Sequence, residues 1–183
     1  CDSKVNPLSM SRYHSFLKLS KRIADPGRAL RPFDADRDGT VIGEGAAVYT
    51  LETPEFAAKR GATVLAELVG FASGFDRGRK GPVLAGVIRN ALNEAGITPA
   101  DVDHVNAGAG GSVGLDAFEA RAVREVFGDG VPVFALRGQV GAMGAASGPV
   151  ELAASVLALR HGLLPGTVNH ETPDPACPVR VHV

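Results

Sequence analysis

Residues 101–128, DVDHVNAGAGGSVGLDAFEARAVREVFG, decide the fold. The run ITPADVDHVNA, 97–107, reads as a turn and short helix leading into a strand near His104 to Ala107. The glycine-rich loop GAGGSVG, 108–114, follows, and LDAFEARAVREVFG, 115–128, reads as a helix. A strand that enters such a loop and leaves as a helix is the repeating step of layered α/β domains.

The same step recurs on both sides. Upstream, PVLAGVIRNALNEA, 82–95, places Val83, Val87, Ala91, Leu92 and Ala95 on one helical face, with Gly96 as its stop. Downstream come a strand at PVFAL, 132–136, a glycine- and alanine-rich helix over about 144–161, and a closing strand at CPVRVHV, 177–183. The order beyond residue 80 is therefore helix, strand, helix, strand, helix, strand, which predicts helices laid against a sheet. Before it, PLSMSRYHSFLKLSK, 7–21, predicts a helix with Pro in its first turn. A loop over 24–33, a strand over 45–52, a short helix at PEFAAKRG and a long apolar strand over 63–75 complete the reading. The charged run DRGRKG, 76–81, is expected to be an exposed loop. The whole, 1–183, is expected to form a single partial domain, with a leading helix, loop and first strand over 1–62 and an alternating α/β core over 63–183.

Composition narrows the class. Apolar residues make up 45% of the chain but aromatics only 5%, so the core must be aliphatic. A net charge of −1 gives no nucleic-acid footprint. Cys1 and Cys177 form no disulfide framework, and a reducing cytoplasm is the expected compartment. The longest apolar stretch is interrupted by Glu151, Arg160 and His161, so no membrane span is expected. The chain begins with Cys rather than Met, which suggests a fragment or a processed chain.

Several ligand patterns start and fail. Asp34, Asp36, Asp38 and Gly39 imitate the first half of a calcium loop. The closing carboxylate should fall on position 45, which is Gly, and Glu44 comes one residue early. Pro32 before the run and a strand-like GAAVYTLE after it also deny the flanking helices. A charged, hydrogen-bonded turn is the simpler expectation, with no calcium and no other metal. The loop at 108 has Gly108 and Gly110 but Val113 where a dinucleotide fingerprint needs Gly, and no P-loop lysine follows. His14, His104, His161, His170 and His182 show no metal-ligand spacing, and no nucleophile elbow is present. Taken by themselves, the residues display no complete catalytic constellation.

Five blocks in order do carry a resemblance. CDSKVNPLSMSRYHSFLKLSKR, RPFDADRDGTVIGEGAAVYTLE, DVDHVNAGAGGSVGLDAFEARAVREVFG, RGQVGAMGAASG and GLLPGTVNHETPDPAC are similar to successive segments of the C-terminal half of β-ketoacyl-acyl-carrier-protein synthases. The resemblance implies a thiolase-like αβαβα layered fold, incomplete at both ends. It also implies fatty acid or polyketide biosynthesis, an acyl carrier protein as partner, a synthase-type subunit as hetero- or homodimer partner, and no cofactor.

That family uses a Cys nucleophile, which takes the acyl chain as a thioester, and two His residues, which assist decarboxylation and stabilise the enolate and oxyanion. The Cys belongs to the absent N-terminal half, and Cys1 falls too late in the pattern to be it. The first family His falls on Gly108 and the second on Ala142, while the family Lys falls on Arg137. Asp116 and Glu119 match. Ser112 keeps one of the two hydroxyls that contact pantetheine, the other falling on Gly110, and Thr40 stands where an aromatic residue is usual. For Arg137 a salt bridge to Glu119 is expected, with contact to an anionic group as the alternative. Arg22 matches a position near the carrier-protein docking face, where an ordinary exposed charge is an equal reading. The expectation is a chain-length-factor-like pseudo-synthase that does not condense. The alternatives are an acyltransferase with altered catalytic residues and an acyl-chain-binding module.

Overall fold

The computed structural model describes residues 3, 5–75, 77 and 82–183. Cys1 and all of the 76–81 run except Arg77 lie outside the described residues.

The sheet at the centre is short and parallel. Strand β1 (Val105–Asn106) pairs in parallel with β2 (Val133–Phe134), Val105 opposite Val133. On the far side of β2, Val133 N–H donates to Arg180 O and His182 N–H donates to Val133 O, both at 2.8 Å. The expected final strand is thus reduced to a bridge between Val133 and Val181.

Alternation along 133–136 builds the layers. Successive side chains of a strand point to opposite faces. Val133 and Ala135 join a core with Phe33, Ala120 and Val123, whereas Phe134 and Leu136 join a second core with Ala154. The first core lies under helix α4 (Val113–Phe127), itself covered by α3 (Pro82–Ala95), and the second lies under α6 (Ser147–His161). Alanines at 117 and 120 let α4 come close to the sheet. Ser112 starts α4 by accepting from Leu115 N–H, and Gly128 ends it at φ 62°. Gly162 ends α6 in the left-handed conformation, the region that costs a residue with a Cβ.

Three expectations about local structure need correction. Helix α1 (Pro7–Phe16) stops well short of residue 21, because Leu19 leaves to bridge Thr40: Ser20 N–H donates to Thr40 O, and Thr40 N–H to Lys18 O. The segments 45–52 and 63–75 form no strand ladder with any described residue. Their composition favours strand, but a strand exists only through a partner, and Val48, Leu68, Phe71 and Phe75 stand exposed. Between them α2 (Pro54–Lys59) forms as read, capped by the Thr53 side chain and left at Gly61. Finally, the helix expected from 144 begins as a single 3-10 turn at Gly144–Ala146 before α6, and a short helix α5 (Arg137–Val140), absent from the sequence reading, follows Leu136.

The acidic run at 34–38 is tied inward. Asp34 is fully buried and accepts from Arg31 Nε and from the N–H groups of Asp36, Glu171 and Thr172. Burial alone would raise its pKa, but these donors outweigh burial and hold it well below the usual carboxylate range. Asp38 accepts from Ser20 Oγ and Lys21 N–H. Both carboxylates therefore spend their acceptor capacity on protein donors.

Candidate functional site

One buried side chain gathers three N–H groups of the glycine-rich loop between β1 and α4. Asp116 sits in the first turn of α4 and is only 1% exposed. Its two oxygens accept from the N–H groups of Phe33, Gly110, Gly111 and Ser112 at 3.0 to 3.2 Å. Arg37 completes it electrostatically, with Nε 3.8 Å from Asp116 Oδ2, and clamps the start of α4 by donating to Val113 O at 2.8 Å. Gly111 is required here: φ is +80°, and a Cβ would lie 2.5 Å from Gly39 O.

The loop so fixed roofs a small cavity of about 100 Å³, open on one side, lined by Thr40, Gly108, Gly110, Ser112, Glu119 and Arg137 among others. With Asp116, seven residues singled out in the sequence thus line one cavity. Ala142 is not among them. It lies beside Ile42 in a parallel bridge, donating to Val41 O and accepting from Gly43 N–H. Arg22 does not line the cavity; it is exposed and donates to Asp36 O at 2.9 Å. Nor do the described histidines line the cavity: His104 packs on Phe134 with ring centroids 5.7 Å apart and the rings tilted at 45°, and His170 Nδ1 lies 3.3 Å from Pro32 O. Cys177 is buried in the α4 core, and burial pushes its thiol up to about 12, which leaves it inert as a nucleophile.

Arg137 corrects a further expectation. Its Nε donates to Glu151 Oε1 at 2.6 Å rather than to Glu119. Glu119 instead accepts from Gly108 N–H at 2.8 Å. Glu151 rises from α6, whose small residues bring it close to the sheet edge, and the same turn offers Glu151 O and Ser155 Oγ to Asn106 Nδ2. In the sequence Glu151 stands out only as an interruption of an apolar run. An acid placed inside a helix of small apolar residues was the available signal.

Space at Gly108 is shared with the guanidinium. A Cβ built there would lie 3.3 Å from Arg137 Nη2 and 3.6 Å from Glu119 Oε1. Arg137 therefore occupies the volume into which a side chain at 108 would project. Burial pushes the Glu119 carboxyl up to about 7, with Asp116 and Glu151 adding like-charge repulsion and the Gly108 N–H and Arg137 opposing. Because the folded chain holds this proton more tightly than the unfolded one, stability is full below the ordinary Glu range and falls as pH rises to about 7. The loss is expected to reach at most about 3 kcal/mol. Urea midpoints at about pH 5 and about pH 8 measure it, and Glu119→Gln, which keeps the acceptor for Gly108, is expected to abolish most of the difference.

Residues 65–171 match the family described as Beta-ketoacyl synthase, C-terminal domain. The chain is 39% identical over 186 residues to a putative polyketide beta-ketoacyl synthase 1 of Streptomyces halstedii, covering 96% of this chain and 44% of that protein. Among solved structures, a type II polyketide ketosynthase in complex with its acyl-carrier protein superposes with a TM-score of 0.93 at 31% identity, over 99% of this chain and 47% of that one. The ishigamide ketosynthase/chain length factor superposes at 0.88, also 31% identical, over 99% of this chain and 45% of that one. The chain spans less than half the length of each of these proteins. No helix among the described residues is long and apolar enough to cross a membrane. With the family match, the layered sheet and the loop before α4 in agreement, the chain belongs to the β-ketoacyl synthase family and carries the C-terminal half of its thiolase-like fold.

Proposed function

We propose that this chain is part of a non-condensing, chain-length-factor-like subunit of polyketide or fatty acid assembly. In this reading it pairs with a complete synthase and shapes the space available to the growing acyl chain. One observation carries it: the cavity beneath the glycine-rich loop has no imidazole in its lining, and a guanidinium fills the room beside Gly108. Condensation of a malonyl unit needs positioned donors for the enolate and oxyanion. Gly108 and Ala142, at the two positions the family resemblance assigns to His, supply none. The likeness to a ketosynthase/chain length factor supports the same reading. Exposed Arg22 is proposed as part of the surface that meets the carrier protein.

A second reading, an acyltransferase with altered chemistry, is favoured by one feature. Glu119 titrates near 7 in the same cavity as Arg137, which suits general acid–base work.

Co-expression of the complete protein with a synthase that has both His residues and the Cys nucleophile tests the first reading. The expected result is a stable heterodimer that also binds carrier protein, weakened by Arg22→Glu. A protein that elutes alone and binds no carrier protein overturns it.

A further inference from the structure

We propose that the cavity beneath Gly108 is a binding site for a small carboxylate, gripped by the two terminal nitrogens of Arg137 and the hydroxyls of Thr40 and Ser112. This inference does not rest on whether the complete protein condenses.

The guanidinium is aimed and held. Its Nε is committed to Glu151 at 2.6 Å, which fixes the plane of the fork. Among the described residues, Nη1 and Nη2 have no protein acceptor. Both face the space under the loop: Nη2 is 3.3 Å from a Cβ position on Gly108, and Nη1 is 3.7 Å from one on Gly110. Two parallel N–H groups of one guanidinium match the two oxygens of a carboxylate, and such paired charge-assisted bonds are about twice as strong as neutral ones.

Two hydroxyls converge on the same space. Thr40 Oγ1 is buried without a hydrogen-bond partner and lies 3.5 Å from the Cβ position on Gly110. A buried hydroxyl left unpaired costs free energy, so an orphaned one that faces a cavity marks the direction of a missing acceptor. Ser112 Oγ accepts from Leu115 N–H, which leaves its own proton to donate. Both residues line the cavity, whose volume of about 100 Å³ suits a carboxylate group rather than an acyl chain.

Charge sets when the site is open. The charged groups lining it are Arg137 from α5 and Glu119 and Asp116 from α4, with Glu151 from α6 bonded to Arg137 outside the lining. Glu151 is paired with Arg137, and Asp116 is surrounded by four backbone N–H groups and Arg37. Glu119 is the variable group. Ionised, it repels an anion; protonated, it adds a donor. Binding is therefore expected to tighten as pH falls through about 7.

The test is a saturation-transfer NMR titration of the full chain with acetate, using acetamide as the neutral isostere. Acetate is expected to bind and acetamide to bind at least about tenfold more weakly. Arg137→Met is expected to weaken acetate by about tenfold or more. Arg137→Lys, which keeps the charge and the partner Glu151 but loses the fork, is expected to weaken it about threefold. Acetate is expected to bind roughly fivefold more tightly at about pH 6 than at about pH 8, a difference that Glu119→Gln removes. Circular dichroism spectra that match the parent establish that the variants fold. Equal binding of acetate and acetamide, absence of acetate binding at both pH values, or unchanged affinity in folded Arg137→Met overturns the proposal.

Discussion

Asp116→Ala is expected to cost roughly 3–5 kcal/mol, enough to leave much of the chain unfolded at room temperature. The Asp116 carboxylate replaces water for four N–H groups at once, those of Phe33, Gly110, Gly111 and Ser112. Truncation to a methyl group leaves all four donors without their acceptor inside a closed loop. It also leaves Arg37, 4% exposed, without its carboxylate at the start of α4, although Asp174 and three carbonyl oxygens still hold it. Asp116→Asn keeps one acceptor oxygen but turns an amide donor toward other donors, so about half the loss is expected. Urea midpoints, with the slope unchanged, report both losses. A midpoint for Asp116→Ala that corresponds to less than about 0.5 kcal/mol would mean that the loop is held by something other than this side chain.

The reach of Asp116 also shows what a sequence reveals and what it hides. Its place in the first turn of α4 was legible, because Ser112 and the glycines before it mark a helix start and the apolar spacing after it marks a buried face. The alternation in 133–136 was legible for the same reason: a strand between two helical layers must feed both. What could not be read was which donors Asp116 would collect, since Phe33 is distant in sequence and arrives only through the tertiary fold. Glu151 was hidden likewise: pairing of Arg137 with Glu119 and with Glu151 are equally allowed by charge, and only the approach of α6 chooses. The failed strands at 45–52 and 63–75 teach the complementary lesson. Apolar, β-branched composition reports that a segment wants a partner, but it does not supply one.

The second large effect concerns the reaction itself. Against a family synthase that retains both His residues, the complete protein is expected to release carbon dioxide from malonyl-carrier protein at least about 10²–10³ times more slowly. Removal of one preorganised donor from an oxyanion site costs a factor of this size, and here both assigned positions, Gly108 and Ala142, lack one. Returning the imidazole at 108 alone is not expected to rescue the rate. Its Cβ would press on Arg137 Nη2 at 3.3 Å and Glu119 Oε1 at 3.6 Å, so the ring and the guanidinium compete for one volume. Gly108→His is therefore expected to lower stability without raising turnover. The combination of Gly108→His, Ala142→His and Arg137→Lys, which clears the fork while keeping a cation beside Glu151, is expected to recover measurable decarboxylation. If the unaltered protein already turns over as fast as the His-bearing synthase, then Arg137 and Glu119 are doing the chemistry, and the acyltransferase reading replaces the first. The two outcomes differ in pH profile as well. Catalysis through Glu119 must follow a group that titrates near 7, whereas the slow background of a pocket without catalytic donors has no reason to bend there.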